Sequence, residues 1–240
     1  MAPARDVRSG GVSAEESCPF DICDGTGFVV DEATRVAQPC RCRPGRIERH
    51  RASSLSAVIP RKYRGASFDR APVTDMPGPQ VQVVRRFVRE IDENLDAGRG
   101  LWFYGSVGTG KTTLAMLVSR SALDAGRSVA IYSLPRLLAE IRATFETDNE
   151  GSYVDFLDRL AAVDLLHVDD VGAERTSDWV LEQLYAIVNA RYEDERSVMI
   201  TTNLERDALV EQIKERTVSR LEEMCTLVPL YGEDARRFVA

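Results

Sequence analysis

Residues 105–113 read Gly-Ser-Val-Gly-Thr-Gly-Lys-Thr-Thr, and this stretch decides which fold the chain can adopt. It matches the pattern G-x-x-x-x-G-K-[ST], in which backbone N–H groups and a lysine surround the phosphates of a nucleotide. An apolar run with strand character, Gly100–Tyr104, precedes it, and Leu114–Val118 continues at helical spacing. A strand, a glycine-rich loop and a helix are the context that the motif requires, so the alternative of a glycine-rich turn that matches by chance is disfavoured.

The residue types in this loop fit the chemistry of phosphate binding. Gly105, Gly108 and Gly110 let backbone N–H groups turn inward around phosphate oxygens, and the positive N-terminal end of the following helix adds to the attraction. Lys111 can reach the β- and γ-phosphates, and the Thr112 hydroxyl can ligate Mg²⁺. The chain is therefore predicted to bind a nucleoside triphosphate. The predicted phosphate-binding residues are Gly105, Ser106, Val107, Gly108, Thr109, Gly110, Lys111, Thr112 and Thr113.

Length and composition leave room for one α/β domain and a small appendage. The chain has 240 residues, of which 44% are hydrophobic and 29% charged, as is usual for globular proteins. No apolar stretch approaches the ~20 residues of a membrane helix, and the N-terminus lacks the apolar segment of a secretory signal. We therefore expect a cytoplasmic protein with no membrane partner, whose thiols stay reduced.

Charge is distributed unevenly along the chain. Residues 1–70 hold 12 Lys+Arg and 9 Asp+Glu, a net charge of +3, whereas residues 71–240 hold 19 and 29, a net charge of −10. The acidic body argues against tight binding to duplex DNA over the whole surface. Between Arg41 and Arg64 eight basic residues accompany a single acid. This stretch could follow a nucleic-acid backbone, meet an acidic partner or form a solvated helix face.

Strands and helices alternate beyond residue 80. The apolar spacing predicts an amphipathic helix from Val81 to Leu95 and another from Trp179 to Tyr192, after a linker over Ala71–Pro79. Short apolar strands separated by helices indicate a parallel sheet that is covered on both faces, with ligands at the carboxyl ends of its strands. The predicted strands are Leu101–Tyr104, Val129–Tyr132, Leu165–Val168, Val198–Thr201 and Leu227–Leu230.

Polar side chains follow two of these strands. The third strand ends in Asp169 and Asp170. Downstream of a phosphate loop, Asp169 would hold Mg²⁺ directly or through water, and Asp170 could polarise the attacking water. The alternative is a strand that merely ends in a solvated pair of acids. The fourth strand ends in Asn203, which could bind the lytic water and the γ-phosphate or could instead cap a helix that starts at Leu204.

Four of the five cysteines are clustered near the N-terminus, in the pattern C-x4-C-x16-C-x-C. In a chain with reduced thiols such a cluster indicates a metal site rather than disulfides, and Zn²⁺ readily takes four thiolates. The segment is too short to bury a core, so the metal would supply its folding energy. Coincidental free thiols are the alternative, His50 is a reserve ligand, and Cys225 is expected to be a small buried residue. The predicted zinc ligands are Cys18, Cys23, Cys40 and Cys42.

Two arginines, Arg216 and Arg220, lie four residues apart and hence on one face of a predicted helix. An arginine supplied to the γ-phosphate of a neighbouring chain can stabilise the charge of the transition state. The alternative is that both are solvated or paired with the nearby acids Glu211, Glu215 or Glu223.

The chain resembles the DnaC/DnaI-type replicative helicase loaders, which are AAA+ ATPases related to the IstB-like transposition helpers. The resemblance covers residues from about 18 to 240 and implies a hexameric replicative DNA helicase and single-stranded DNA as partners. It also implies ATP as the nucleotide and an active site shared between self-associated chains, in which Arg220, or else Arg216, is the arginine finger. The segments that carry the resemblance are GSVGTGKTT, LLHVDDVGAE, VMITTNL, ERTVSRLEEMC and GEDARRF.

Two departures from the AAA+ pattern affect the expected chemistry. Asp170 stands where a glutamate is usual across AAA+ proteins, and the shorter side chain predicts slow, partner-stimulated hydrolysis. The chain also ends soon after the last strand, so we expect no C-terminal helical lid. The resemblance implies that the segment Ile59–Phe68 lies near the adenine, and Tyr63 or Phe68 could pack on the base or on the core.

The expected organisation is a flexible tail over residues 1–17, a Cys-rich zinc-binding module with a basic connector over 18–58, and an AAA+ ATPase domain over 59–240. The ATPase domain is expected to be a three-layer α/β domain around a central parallel five-stranded sheet. Three other functions compete with a helicase loader: an IstB-like transposition helper, a nucleotide-gated adaptor with vestigial hydrolysis, and a small-molecule kinase. A kinase would need an arginine-rich lid, whereas Thr144–Gly151 is acidic.

Overall fold

The computed structural model describes residues 18, 20–23, 26–31, 36–43, 55, 57–145, 152–173 and 177–232. The chain divides into two compact units, Met1–His50 and Arg51–Ala240. The predicted tail over residues 1–17 and the reserve ligand His50 lie outside the described residues.

The first unit contains an antiparallel hairpin and the four clustered cysteines. Strand β1 (Phe28–Asp31) pairs with β2 (Val36–Pro39), with Phe28 opposite Pro39. No residue of either strand is buried, whereas Cys18, Cys40 and Cys42 are. The interior of the described part of this unit therefore consists of thiols rather than of an apolar core.

The second unit alternates strands and helices, as the sequence predicts. Its strands are β3 (Gly100–Tyr104), β4 (Val129–Ser133), β5 (Leu165–Asp169), β6 (Ser197–Thr201) and β7 (Cys225–Pro229). Its α-helices are α1 (Gly78–Arg89), α2 (Ile91–Asp96), α3 (Lys111–Asp124), α4 (Leu134–Phe145), α5 (Ser152–Ala162), α6 (Asp178–Glu193), α7 (Arg206–Ile213) and α8 (Glu215–Met224). Short 3-10 helices span Arg61–Tyr63 and Val73–Asp75. Among the residues described, no helix is long and apolar enough to cross a bilayer.

The five strands of this unit form one parallel sheet in the order β4-β5-β6-β3-β7. The central parallel five-stranded sheet is thereby confirmed. Because all strands run the same way, their carboxyl ends share one edge, which brings together the ends of β3, β5 and β6. The last strand starts at Cys225 rather than at the predicted Leu227, since Cys225 pairs with Gly100.

Side chains of alternate strand residues cover the two faces of the sheet. Leu101 and Phe103 pack with the core beneath α1, α2 and α3, whereas Trp102 packs with the core beneath α4 to α8. All three are at most 1% exposed. The domain therefore has the three layers that were predicted, with helices on both faces of the sheet.

The predicted helix from Val81 to Leu95 is two helices, because Glu90 leaves the helical conformation at φ −105° and ψ 33°. The side-chain amide of Asn94 donates to the carbonyl oxygen of Phe87 at 3.1 Å. This bond satisfies the carbonyl that a continuing helix would otherwise pair.

The linker predicted over Ala71–Pro79 is also partly ordered, since it contains a 3-10 helix whose Val73 is 1% exposed.

A fully buried arginine joins α5 to the sheet. Arg191, on α6, donates to the carbonyl oxygens of Leu160 at 2.6 Å, Val163 at 2.9 Å and Ser197 at 2.6 Å. Its positive charge lies where α5 ends, and a helix C-terminus favours cations. Burial lowers the pKa of Arg191 to about 9. These bonds hold the turn that leads into β5 and thus help to place the acids at its end.

Candidate nucleotide-binding site

The predicted phosphate loop connects β3 to α3 at the carboxyl edge of the sheet. Gly105, Gly108 and Gly110 adopt φ values of 120°, 80° and 94°, a region that side chains disfavour and that glycine adopts readily. A side chain at Gly105 would also collide with the carbonyl oxygen of Leu230. The glycines therefore give the loop a curvature that other residues would resist, with the N-terminus of α3 at its end.

Lys111 is the first residue of α3 and is 6% exposed. Its ammonium group donates to the carbonyl oxygens of Gly105 at 2.9 Å and Ser106 at 2.6 Å, across the mouth of the loop. The hydroxyl of Thr109 donates to the same Ser106 oxygen at 2.9 Å. The charge is thus held inside the loop, at the place where it can meet the β- and γ-phosphates of a nucleotide.

The two predicted Mg²⁺ ligands are neighbours. The Thr112 hydroxyl, on α3, donates to Oδ1 of Asp169, at the end of β5, at 2.9 Å. Adjacent oxygens in an octahedral shell with Mg–O bonds of about 2.05 Å are about 2.9 Å apart. The spacing of these two oxygens therefore fits Mg²⁺.

Thr201 is a site residue that was not singled out from the sequence. Its hydroxyl donates to Oδ1 of Asp169 at 2.6 Å and accepts the N–H of Asp170 at 2.9 Å. One threonine at the end of β6 thus orients both acids at the end of β5. The signal in the sequence is a threonine at the end of the predicted strand that follows these acids along the chain.

Asp170 and Asn203 lie side by side at the edge of the sheet, and both are exposed. Asp170 adopts φ 63°, and its Oδ1 accepts the side-chain amide of Asn203 at 3.2 Å. Asn203 does not cap a helix, because α7 begins at Arg206 with Glu205 as its N-cap. The structure therefore excludes the capping alternative and places the amide beside the carboxylate.

His167 is a second residue that was not singled out from the sequence. It is fully buried in β5, and its Nδ1 lies 3.0 Å from the hydroxyl oxygen of Ser119 on α3. Its Nε2 lies 4.0 Å from Oδ1 of Asp169. Burial lowers the pKa of His167 to about 4, so the ring is neutral. The signal in the sequence is one histidine among the apolar residues of the predicted strand Leu165–Val168.

Arg216 and Arg220 lie on one face of α8, stacked on tyrosines of α6. The guanidinium groups are 3.8 and 4.7 Å from the ring centre of Tyr185, and that of Arg220 is also 5.5 Å from the ring of Tyr192. Two of the acids proposed as alternative partners of these arginines contact other residues. Glu215 binds Arg206 at 2.6 Å, and Glu223 accepts a hydrogen bond from the Tyr192 hydroxyl at 2.6 Å.

Tyr63 and Phe68 are partly buried against the core beneath α1, α2 and α3. The carbonyl oxygen of Phe68 accepts a bond from Arg85 at 2.7 Å, and the guanidinium lies 5.0 Å from the Phe68 ring. These contacts favour packing over contact with the base for Phe68. Met76, which was not singled out from the sequence, lies with its terminal methyl against Gly110.

In the first unit the four predicted zinc ligands converge. Their sulfur atoms all lie within 4.8 Å of one another, with Cys18 and Cys40 at 3.8 Å and Cys23 and Cys42 at 3.5 Å. Tetrahedral Zn–S bonds of about 2.3 Å place sulfur atoms about 3.8 Å apart. The cluster therefore fits Zn²⁺. Cys225 is 6% exposed, and burial raises its pKa to about 12, as expected for a small residue of the core.

Comparison with known proteins agrees with the resemblance that the sequence motifs indicate. The model of the family described as IstB-like ATP binding protein matches residues 67–237, more than half of the chain. The chain is 25% identical over 181 residues to the replicative helicase loader DnaC of Buchnera aphidicola subsp. Acyrthosiphon pisum, which covers 73% of this chain and 72% of that protein.

Two further relatives agree with this result. The DnaC of Escherichia coli K12 is 29% identical over 154 residues, 64% of this chain and 61% of that protein. The crystal structure of the DnaC helicase loader superposes with a TM-score of 0.62 and 27% identity, and covers 71% of this chain and 99% of that chain. The resemblance to the helicase loaders is thereby confirmed, and the chain belongs to the family of IstB-like ATP binding proteins.

Proposed function

We propose that this protein is a slow ATPase that binds a hexameric replicative DNA helicase and assists its loading onto single-stranded DNA during replication. One observation carries the proposal: the likeness to the DnaC helicase loader spans 99% of that solved chain. The loop, the acids and the polar edge residues of an ATPase site lie within the same domain, and for this reason the proposal includes ATP hydrolysis.

The phosphate loop binds the nucleotide. Backbone N–H groups of the loop and the Lys111 ammonium hold the β- and γ-phosphates, and Thr112 and Asp169 hold Mg²⁺. When bound, the cation neutralises charge that develops on the phosphate oxygens. ATP is the nucleotide that the family description implies.

Hydrolysis depends on Asp170 and Asn203. The Asp170 carboxylate accepts a proton from the attacking water, and the Asn203 amide, 3.2 Å from that carboxylate, orients the same water. Because aspartate is one methylene shorter than glutamate, the carboxylate lies further back from the phosphate. Slow basal turnover is the expected consequence of this shorter reach.

Arg220 acts in a neighbouring chain. The tyrosines beneath it hold the guanidinium without neutralising it, so its N–H groups can still bind a phosphate. Its Nε is buried and has no hydrogen-bond partner among the described residues. An arginine positioned in this way can serve as a finger in a shared active site, with Arg216 as the second candidate.

Single-stranded DNA binds to an aromatic surface formed by α4, α5 and α6. Phe145, which is 57% exposed, stacks on Tyr153 with the ring centres 4.8 Å apart. Arg142 lies 4.7 Å from the ring centre of Trp179. Aromatic rings combined with arginines bind nucleic-acid bases with little sequence preference, because every base has a stacking face.

The cysteine cluster forms a zinc module that contacts the helicase. The described residues of this unit expose apolar side chains, with Phe20 at 56%, Val30 at 60% and Val36 at 53%. A partner protein that covers these side chains would remove apolar surface from water.

The match to the IstB-like family model supports a second candidate, the transposition helper considered from the sequence. Size-exclusion chromatography with a hexameric replicative helicase distinguishes the two. We expect the wild-type chain to co-elute with the helicase when ATP is present, and a Cys40→Ser/Cys42→Ser variant to elute separately, with Cys225→Ser as the control. A chain that assembles with ATP on duplex DNA but never co-elutes with a replicative helicase would be a transposition helper instead.

A further inference from the structure

Within strand β5, the polar side chain of His167 lies between two apolar residues, Leu166 and Val168. His167 and Asp169 are two residues apart and hence face the same side of the sheet, toward α3. The imidazole is 0% exposed. Burying such a ring is unfavourable unless its nitrogens are hydrogen-bonded, so both nitrogens need polar partners.

Two polar contacts join α3 to β5. The Thr112 hydroxyl lies 2.9 Å from Oδ1 of Asp169, and the Ser119 hydroxyl lies 3.0 Å from Nδ1 of His167. Thr112 and Ser119 are seven residues apart, about two helical turns, and therefore share one face of α3. The helix that begins at the phosphate loop thus contacts both the magnesium ligand and the histidine behind it.

The partners of the ring determine its tautomer. Nε2 has no hydrogen-bond partner within the described part of the chain, and it lies 4.0 Å from Oδ1 of Asp169. A proton on Nε2 would be attracted to the carboxylate, whereas a lone pair there would be repelled by it. The Ser119 hydroxyl can donate to Nδ1 and so leave the proton on Nε2. The neutral ring therefore directs an N–H group toward Asp169.

We propose that His167 is a positioning residue for the magnesium ligand Asp169. Its Nε2–H attracts Oδ1 from 4.0 Å and, together with the Thr201 hydroxyl at 2.6 Å, keeps that oxygen beside the Thr112 hydroxyl, where the two can ligate the cation. A shift of about 1 Å brings Nε2 within hydrogen-bonding distance of Oδ1. Outer-shell donors of this kind orient metal ligands and affect metal affinity. The inference rests on the proposed magnesium–ATP site.

Three variants test the role. His167→Leu removes both ring nitrogens, His167→Gln keeps an amide donor at the end of a side chain of similar reach, and Ser119→Ala removes the hydroxyl that sets the tautomer. The measurement is an equilibrium titration of a fluorescent ATP analogue at increasing Mg²⁺ concentration, repeated in EDTA. Thermal unfolding of each variant shows whether it is folded.

We expect His167→Leu to raise the Mg²⁺ concentration for half-maximal binding about tenfold, the low end of the range for such outer-shell residues. Binding of the analogue in EDTA should not change, because His167 does not touch the phosphate loop in any described contact. His167→Gln should stay within about twofold of wild type, and Ser119→Ala should fall between the two.

The possible results distinguish a failure of the inference about His167 from a failure of the magnesium–ATP site. If folded His167→Leu shows the wild-type Mg²⁺ dependence, His167 only fills space and the inference is wrong, while the ATP site stands. If His167→Leu does not fold, Ser119→Ala decides alone, and an unchanged Mg²⁺ dependence there overturns the inference. If the wild-type chain binds the analogue without any Mg²⁺ dependence, the magnesium–ATP site fails and this inference fails with it.

Discussion

At the scale of single residues, Lys111 provides a buried positive charge in the phosphate loop. Its ammonium is bonded to two carbonyl oxygens of the loop, so it is already positioned where phosphate oxygens would arrive. Charge-assisted hydrogen bonds are about twice as strong as neutral ones. Much of the affinity for a nucleotide should therefore depend on this one side chain.

We predict that Lys111→Ala weakens ATP binding by about 100-fold or more, because a bond to a charged group contributes up to about 3 kcal/mol. Asp170→Asn is the matched control: it should bind ATP like wild type but hydrolyse it at least about 100-fold more slowly. Asparagine also tolerates the left-handed conformation of residue 170, at φ 63°. Fluorescent-nucleotide titration and phosphate release measure the two effects. Equal ATP affinity of wild type and Lys111→Ala would refute the assignment.

At this scale the sequence predicts residues whose partners are adjacent in the chain. The loop from Gly105 to Thr113 is contiguous, so its pattern alone indicates its chemistry. Thr201 and His167 were not anticipated, because their contacts with Asp169 and Ser119 depend on how β5, β6 and α3 pack. Neither contact can be read from a local pattern.

At the scale of secondary-structure elements, the buried Arg191 links α5, the turn before β5, and β6. Its guanidinium binds the carbonyl oxygens of three buried residues, and removing it removes these hydrogen bonds in the interior. We predict that Arg191→Leu lowers the free energy of unfolding by about 3 to 5 kcal/mol, because each buried carbonyl group left unsatisfied costs about 1 to 3 kcal/mol. Arg196→Leu is the control: its side chain is 32% exposed and its ion pair with Asp164 spans 3.5 Å, so the loss should stay below about 1 kcal/mol. Urea denaturation measures both, and equal losses would contradict the prediction.

The second prediction at this scale concerns the zinc content of the cysteine cluster and its effect on folding. We expect one Zn²⁺ per chain in protein purified without chelator, measured by elemental analysis. Removing the metal should unfold the hairpin β1–β2 while the α/β domain stays folded, because metal binding and folding are coupled within the first unit. Circular dichroism and limited proteolysis would monitor the two units. Less than half an equivalent of zinc, or retained hairpin order without metal, would contradict this prediction.

At the scale of the whole molecule, the proposed shared active site would make turnover a property of an assembly. If Arg220 completes the site of a neighbour, the ATPase rate per chain should rise with protein concentration, or when helicase and single-stranded DNA are added. Arg220→Ala should keep its ATP affinity, since its described contacts are to tyrosines of α6. Its stimulated rate should fall by about 10³-fold, as for arginine fingers in other NTPases.

A mixing experiment separates an action in the neighbour from an action within one chain. Lys111→Ala still carries Arg220, and Arg220→Ala still carries an intact phosphate loop, so a mixture of the two variants should recover part of the activity. If both variants assemble and the mixture stays inactive, Arg220 acts within its own chain or only supports the fold. The proposed loader function would survive that result, whereas the shared site would not.

Local patterns were sufficient for the architecture of the domain. The period of the apolar residues and the position of the glycine-rich loop predict the strands, the parallel sheet and the edge where the nucleotide binds. The paired spacing of four cysteines likewise predicts the thiol cluster. These features depend on residues that are near one another in the sequence or on a few strongly preferred topologies. For this reason they can be predicted from the sequence pattern.

Only the tertiary structure decided which distant groups meet. The break between α1 and α2 depends on the Asn94 amide, and the placement of Asp169 depends on hydroxyls from α3 and β6. The stacking of Arg220 on Tyr185 and Tyr192 depends on how α6 and α8 pack. Such contacts join side chains that are distant in the sequence and close in the folded chain. A change of a fraction of an ångström in the donor–acceptor distance decides whether a hydrogen bond forms. No local pattern contains that distance, so packing rather than sequence pattern determines the fine geometry of the site.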